Sequence, residues 1–296
     1  MPSEPDVAKQ IALSRHSGEF DLIARTLTAQ SVRHATVGIG DDAAVLNGGQ
    51  LIATDTILEG VHFDAAAPPE AIGHKAIAVN LSDIAAMAGR PTVATLSLTL
   101  NKRDRSERAE RILSGLLATA AAFGVEVVGG DTTSWDAPLA ISVTLLGEAA
   151  CPVLRSGGVP GDSLFVTGPL GRSLSTGHHL TFTPRVAEAA TLAAAAPLHA
   201  MIDLSDGLSS DLAHLCAASG CGATLDAAAI PRRDGATIDE SLSDGEDFEL
   251  LFATPIEAVA GAIRIGRLTD GDGIEIRDGE ATRTLQPKGW SHGVGG

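Results

Sequence analysis

The feature that most constrains this chain is an alternation. Short runs of Val, Ile, Leu and Ala, of strand length, take turns with stretches whose apolar residues recur at helical spacing, and several runs close on Gly and Asp. Segments 37–40 and 51–54 are strand-like and are separated by the turn signal Asn47-Gly48-Gly49. Over 69–87 the period becomes helical, with Ile72, Ala76, Val79, Ile84 and Met87 expected to face inward, and Pro91 ends it. An amphipathic helix over 18–30 comes before these elements, and a strand at 93–100, a helix at 105–123 and strands at 125–128 and 139–147 come after. The pattern predicts an α/β (α+β) chain. A Gly-rich stretch closed by Pro160-Gly161 marks a break, so we expect one domain over 1–150 and another over 151–296. In the second, strands at 163–167, 201–204 and 248–253 and helices at 184–196 and from 207 repeat the alternation, while 271–296 reads as turns with little periodicity.

With 296 residues, 44% of them hydrophobic, the chain has apolar material for two cores, built from aliphatic residues because aromatics are only 3% and tyrosine is absent. A net charge of -16 argues against binding nucleic acid, whose phosphates need Lys and Arg. No apolar run reaches the ~20 residues of a membrane span, and residues 1–10 are polar and acidic, so no membrane association is expected. Cys151, Cys216 and Cys221 lack zinc or redox spacing and read as reduced thiols of a cytoplasmic protein.

Six acidic motifs carry the chemistry: Gly40-Asp41-Asp42, Thr54-Asp55-Thr56, Asn80-Leu81-Ser82-Asp83, Gly129-Gly130-Asp131, Asp203-Leu204-Ser205-Asp206-Gly207 and Gly245-Glu246-Asp247. Asp55, Asp131 and Asp206 are expected just past buried strands, where loops of an α/β architecture carry site residues. Two carboxylates ~4 Å apart repel by about 4 kcal/mol at an effective dielectric of 20, so a converging set calls for hard divalent cations such as Mg²⁺. Several such ions beside Gly-rich loops suit phosphoryl transfer. Blander readings stand beside this one. Asp206 is placed to cap the helix from 207, Asp41-Asp42 to form a solvated turn, and Gly129-Gly130 to turn the chain. Asp83 is different, because it lies in an apolar helix and needs a partner there. The letters of a dinucleotide fingerprint at 38–43 are rejected, since two carboxylates would face the pyrophosphate, and a Walker-type loop is absent from the sequence.

Taken in order, these motifs resemble the thiamine-monophosphate kinase family of the aminoimidazole-ribonucleotide-synthetase-like superfamily. The likeness runs from about residue 20 to 290. It is carried by segments 40–45, 54–63, 75–87, 129–133, 203–208, 245–252 and the tail Pro287-Lys288-Gly289-Trp290-Ser291-His292. The resemblance implies a two-domain fold whose N-terminal mixed sheet pairs with that of a second subunit into a dimeric barrel, followed by a C-terminal α/β domain. It implies phosphorylation of thiamine monophosphate by ATP through direct in-line transfer, with several Mg²⁺ ions. By carry-over, Asp42, Thr54, Asp55, Asp83, Asp131, Asp206 and Asp211 would serve the metals, Asp42 being favoured over Asp41. Gly130, Asp131, Arg155 and Ser209 would meet ATP, and His62, Glu246 and Trp290 the substrate. Without the resemblance, Arg155 reads as an exposed linker residue, His62 as a satisfied structural histidine and Trp290 as a packing anchor. The chain departs from the family at Ser134-Trp135, at Asp244, at Ala88-Gly89 and in a short 171–184 segment. The alternative function is a non-catalytic nucleotide- or cation-binding relative, or another ATP-dependent member of the superfamily.

Overall fold

The computed structural model describes residues 32–290. The helix expected over 18–30 and the end of the tail motif lie outside them. Strands β1 (Ala35–Val37), β2 (Ala44–Leu46) and β3 (Gln50–Leu58) come first, with Asn47-Gly48-Gly49 turning β2 into β3. There follow α1 (Pro69–Ala86), β4 (Arg90–Asn101), α2 (Ser106–Ala122), β5 (Glu126–Trp135) and β6 (Ala140–Glu148). These strands form one mixed sheet in the order β1-β2-β3-β6-β4-β5, in which only the β4–β5 pair is parallel.

The remaining elements are β7 (Ser163–Val166), α3 (Ser173–Thr176), a 3-10 turn over His178–Leu180, α4 (Val186–Ala195), β8 (Ala200–Asp203), α5 (Leu208–Ser219), β9 (Gly222–Asp226), α6 (Ile238–Ser243), β10 (Leu250–Thr254), β11 (Ile263–Thr269), β12 (Ile274–Asp278) and β13 (Ala281–Leu285). Their strands make a second mixed sheet, ordered β13-β12-β9-β11-β7-β10-β8.

Helix α1 decides how the two sheets meet. It starts with Pro69, whose fixed φ and missing N–H suit the first turn. Ile72, Ile77, Leu81 and Ile84 are fully buried against the first sheet's core, while Ala85 and Ala86 join Phe165, Met201 and Phe252 of the second half. A helix buried on all sides shows little amphipathicity, which is why its apolar residues crowd beyond one stripe. It also packs against α2 at backbone distance: a Cβ on Gly73 would stand 1.9 Å from Ile112 O, and one on Gly115 2.1 Å from Glu70 O. Only glycine fits at either place.

Alternation along the strands sorts their residues by face. On β3, Leu51, Ala53 and Ile57 are buried, whereas Thr54 and Thr56 are exposed; on β6, Ile141, Val143 and Leu145 are buried. The opposite face carries Thr54, Thr56, Thr95, Ser97, Ser142 and Thr144, and it is open to solvent at Thr54, Thr56 and Thr95.

Several expectations need correction. Strand β5 runs to Trp135 instead of stopping at Val128, because Gly129 and Gly130 continue the pairing with β4 after a bulge. A Cβ on Gly130 would stand 2.1 Å from Leu96 O, so the glycine permits close pairing and does not turn the chain. The tail is not structureless: β12 and β13 form a hairpin closed by Gly279 and Glu280, with Ile274 and Ile276 buried. Strands β2, β9 and β11 and helix α6 were also not anticipated.

Candidate active site

The described residues bring Asp42, Asp83 and Asp203 together, one carboxylate oxygen of each lying within 4.8 Å of the others. Asp42 comes from the segment between β1 and β2, Asp83 from the last turn of α1, and Asp203 from the end of β8. The site thus draws on both halves of the chain. Asp203 is buried and accepts a 2.6 Å hydrogen bond from Ser82 Oγ. Asp55 stands on the core-facing side of β3 and exchanges a side-chain hydrogen bond with Asp83, which requires a proton on one of the pair.

Burial and neighbouring charge act on the whole cluster. Burial, then the charges of Asp55, Asp203 and Asp42, push the Asp83 carboxyl well above its usual range. Burial and Asp42 do the same to Asp203. Asp41 is raised from an ordinary 3.8 to about 7, chiefly by burial and next by Asp42. One cation answers this charge. Arg155 donates Nε to Asp42 Oδ2 at 3.1 Å and Nη2 to Asp42 Oδ1 at 2.9 Å, a fork-to-carboxylate pairing, and its backbone N donates to Asp41. The Asp42 side chain is fully buried beneath it.

Beside this cluster lies the loop from β8 into α5. Asp211, on the first turn of α5, accepts from Asp206 N at 3.1 Å and Gly207 N at 3.0 Å, so it shapes the loop that displays Asp206. Burial first, and then Asp206 and Asp203, raise the Asp211 carboxyl well above its usual range. The tail folds over the loop: Trp290 N donates to Asp206 O at 3.1 Å, and Ser209 Oγ donates to Lys288 O at 2.7 Å. That bond directs the Ser209 hydroxyl at the tail.

Not every expected residue joins the cluster. Asp131 pairs in register with Ser97, hence with Ser142 and Thr56, and shares their open face. It stands on the edge strand, three strand spacings or about 14 Å from β3. Thr54 also points to the open face, where its Oγ1 bonds Thr144 Oγ1 at 3.1 Å. Asp55 and Asp131 therefore sit inside strands and not on loops beyond them.

The expected substrate contacts form a second group. Lys75 Nζ donates to His62 O at 2.7 Å and to both Glu246 oxygens at 2.7 Å. His62 Nδ1 accepts from Leu58 N at 3.0 Å, so this ring also has a structural bond. Glu246 and Phe248 have φ of 63° and 50°, left-handed conformations uncommon for such residues, in a loop where Phe248 stacks on Phe182 at 4.1 Å.

Sequence reasoning missed two residues here. Asp203 was within a quoted motif, and its place at the end of an apolar run beside Asp206 was the available signal. Lys75 opens segment 75–87, a lone cation within an apolar helix.

As a fit to a metal, the donor set is hard, anionic and crowded, and burial together with neighbouring carboxylates pushes the Asp83 and Asp203 carboxyls well above their usual range. This is the environment a Mg²⁺-sized divalent cation favours.

Two family models and several known proteins match the chain. The family described as AIR synthase related protein, N-terminal domain, matches residues 40–149, and its C-terminal counterpart matches residues 159–279. A thiamine-monophosphate kinase of Rhodopirellula baltica is 40% identical, covering 87% of this chain and 91% of that protein. That of Escherichia coli K12 is 35% identical, covering 93% of this chain and 98% of its own length. A solved structure described as AaThiL complexed with AMPPCP and TMP superposes with a TM-score of 0.82 at 34% identity, over 93% of this chain and 97% of the other. The chain belongs to the thiamine-monophosphate kinase family, with the two-domain architecture of the AIR synthase related proteins.

Proposed function

We propose that the protein phosphorylates thiamine monophosphate with ATP, giving thiamine diphosphate and ADP. The observation that carries this reading is the meeting of Asp42, Asp83 and the buried Asp203, drawn from three distant segments of a chain in this family. An oxygen of the substrate phosphate forms the new bond to the γ-phosphorus while the β–γ bridge breaks. Because that oxygen is already anionic, no protein base has to withdraw a proton.

Asp42, Asp55, Asp83 and Asp203 would hold Mg²⁺, with Asp206 and Asp211 completing the charge on the α5 side. When bound, such ions neutralise the charge spread over the transferring phosphoryl group. Arg155 orients Asp42 and sits where its guanidinium can turn from carboxylate to nucleotide phosphate. Gly130 and Asp131, on the open edge, and Ser209 are proposed for the nucleotide. His62, Glu246 and Trp290 are proposed for the substrate, a carboxylate suiting its cationic ring and an indole its aromatic one.

We further propose a homodimer in which the open face of the first sheet, with exposed Thr54, Thr56 and Thr95, is covered by a second copy. The domain boundary is proposed after residue 150, between the last strand of the first sheet and the first strand of the second. Among the described residues no helix is long and apolar enough to cross a membrane, and the three cysteines are free. A cytoplasmic location is our reading. The deciding experiment incubates the purified protein with ATP, Mg²⁺ and thiamine monophosphate and follows thiamine diphosphate by chromatography. Absence of product above background overturns the proposal.

A further inference from the structure

Lys75 is completely buried, and no other lysine or arginine among the described residues is buried. A buried ammonium is costly unless each N–H finds an acceptor. Here the three acceptors are His62 O and the two oxygens of Glu246. His62 lies between β3 and α1, and Glu246 lies before β10, so one cation ties together two segments that are 184 residues apart in number.

The exposure is lopsided: the Lys75 side chain is 0% accessible, whereas 17% of the Glu246 side chain remains open. The carboxylate is therefore held by a buried cation while part of its own side chain remains open. Its backbone is fixed too, since Glu246 N donates to Ser205 O at 2.6 Å and Glu246 O accepts from Ser173 Oγ at 2.6 Å. Without the ammonium, neither Glu246 oxygen keeps this partner, and the carboxylate is free to swing away from the direction in which it would meet a cationic ring.

We infer that Lys75 is a positioning residue for thiamine monophosphate, acting through Glu246 by setting the orientation of that carboxylate. The inference rests on the kinase reading above. It separates from a purely structural tie between the two halves of the chain, which would lower stability and disturb both substrates alike.

The test is steady-state kinetics with thiamine monophosphate and ATP varied in turn, on wild type, Lys75→Met, Glu246→Gln and the double variant, with melting temperatures measured in parallel. Lys75→Met is expected to raise KM for thiamine monophosphate by about tenfold or more, as loss of a charge-assisted contact does, and to leave KM for ATP within about twofold. The double variant is expected to match Glu246→Gln alone, because Lys75 has nothing to orient once the carboxylate is gone. Where Lys75→Met does not fold, Lys75→Gln takes its place, with the same selective rise in KM for thiamine monophosphate expected. An unchanged KM for thiamine monophosphate, equal changes in both KM values, or additive losses in the double variant would overturn the inference. Failure of wild type to make product would instead overturn the kinase reading.

Discussion

Removing magnesium should weaken the folded protein progressively as pH rises. The three clustered oxygens lie within 4.8 Å of one another, and each like-charged pair at that distance costs about 3 kcal/mol at an effective dielectric of 20. Three pairs amount to roughly 10 kcal/mol before Arg155 offsets part, which rivals the whole stability of a domain. Without a metal, the carboxyls hold protons instead. For Asp41 the folded value of about 7 lies above the ordinary 3.8. An acid raised on folding contributes stability that is complete below the lower value and lost as pH climbs through the upper one. For Asp41 alone that loss is on the order of 4 kcal/mol between about pH 4 and pH 7, and Asp83, Asp203 and Asp211 shift in the same direction.

On the proposed reading Mg²⁺ would compete with protons for these carboxylates, so its stabilisation should grow with pH. At about a hundred times its dissociation constant it contributes roughly 2.7 kcal/mol, which for a chain of this size is a rise of about 5–10 °C in melting temperature. The assay is thermal unfolding with chelator or with Mg²⁺ at pH 5 and pH 8. The full rise is expected at pH 8 and little at pH 5, and Asp203→Asn should lose most of it. Equal shifts at both pH values, or a full shift retained in Asp203→Asn, would refute the reasoning.

Asp131→Asn should leave the Mg²⁺-dependent rise in melting temperature unchanged, because Asp131 stands about 14 Å from β3, yet lower turnover at least tenfold if it serves the nucleotide. Thr95→Arg, which puts a charge at the middle of the open sheet face, should halve the mass measured by light scattering if that face is the dimer contact. Gly73→Ala should lower stability by about 1–3 kcal/mol in denaturant titration, since the new methyl would meet Ile112 O at 1.9 Å and force α1 from α2.

The sequence made α1 and the acidic motifs readable for one reason: helical spacing and Gly-Asp punctuation are local signals. Asp203 escaped because its partners, Ser82 and Asp42, are brought to it by tertiary packing over more than a hundred residues. Of two aspartates three apart, only the structure shows that the first is the buried one. Strand β5 escaped because consecutive glycines usually break a strand, and nothing local reveals that Gly130 must admit Leu96 O. Two misses were readable in hindsight: Asp278-Gly279 is a hairpin signal, and Thr237 with Glu240 forms a capping box at α6.

Helix α1 holds Lys75 and Asp83 on one rigid rod, eight residues and hence roughly 12 Å apart along its axis. That makes it a molecular ruler. Loops at either end can change, but the span between Lys75 and Asp83 is fixed by backbone pitch, and on the proposed reading these mark the substrate-holding and phosphate ends. A ligand much shorter or longer than that span would have to leave one end unengaged, so selectivity for length would be written into the scaffold before any side chain makes contact.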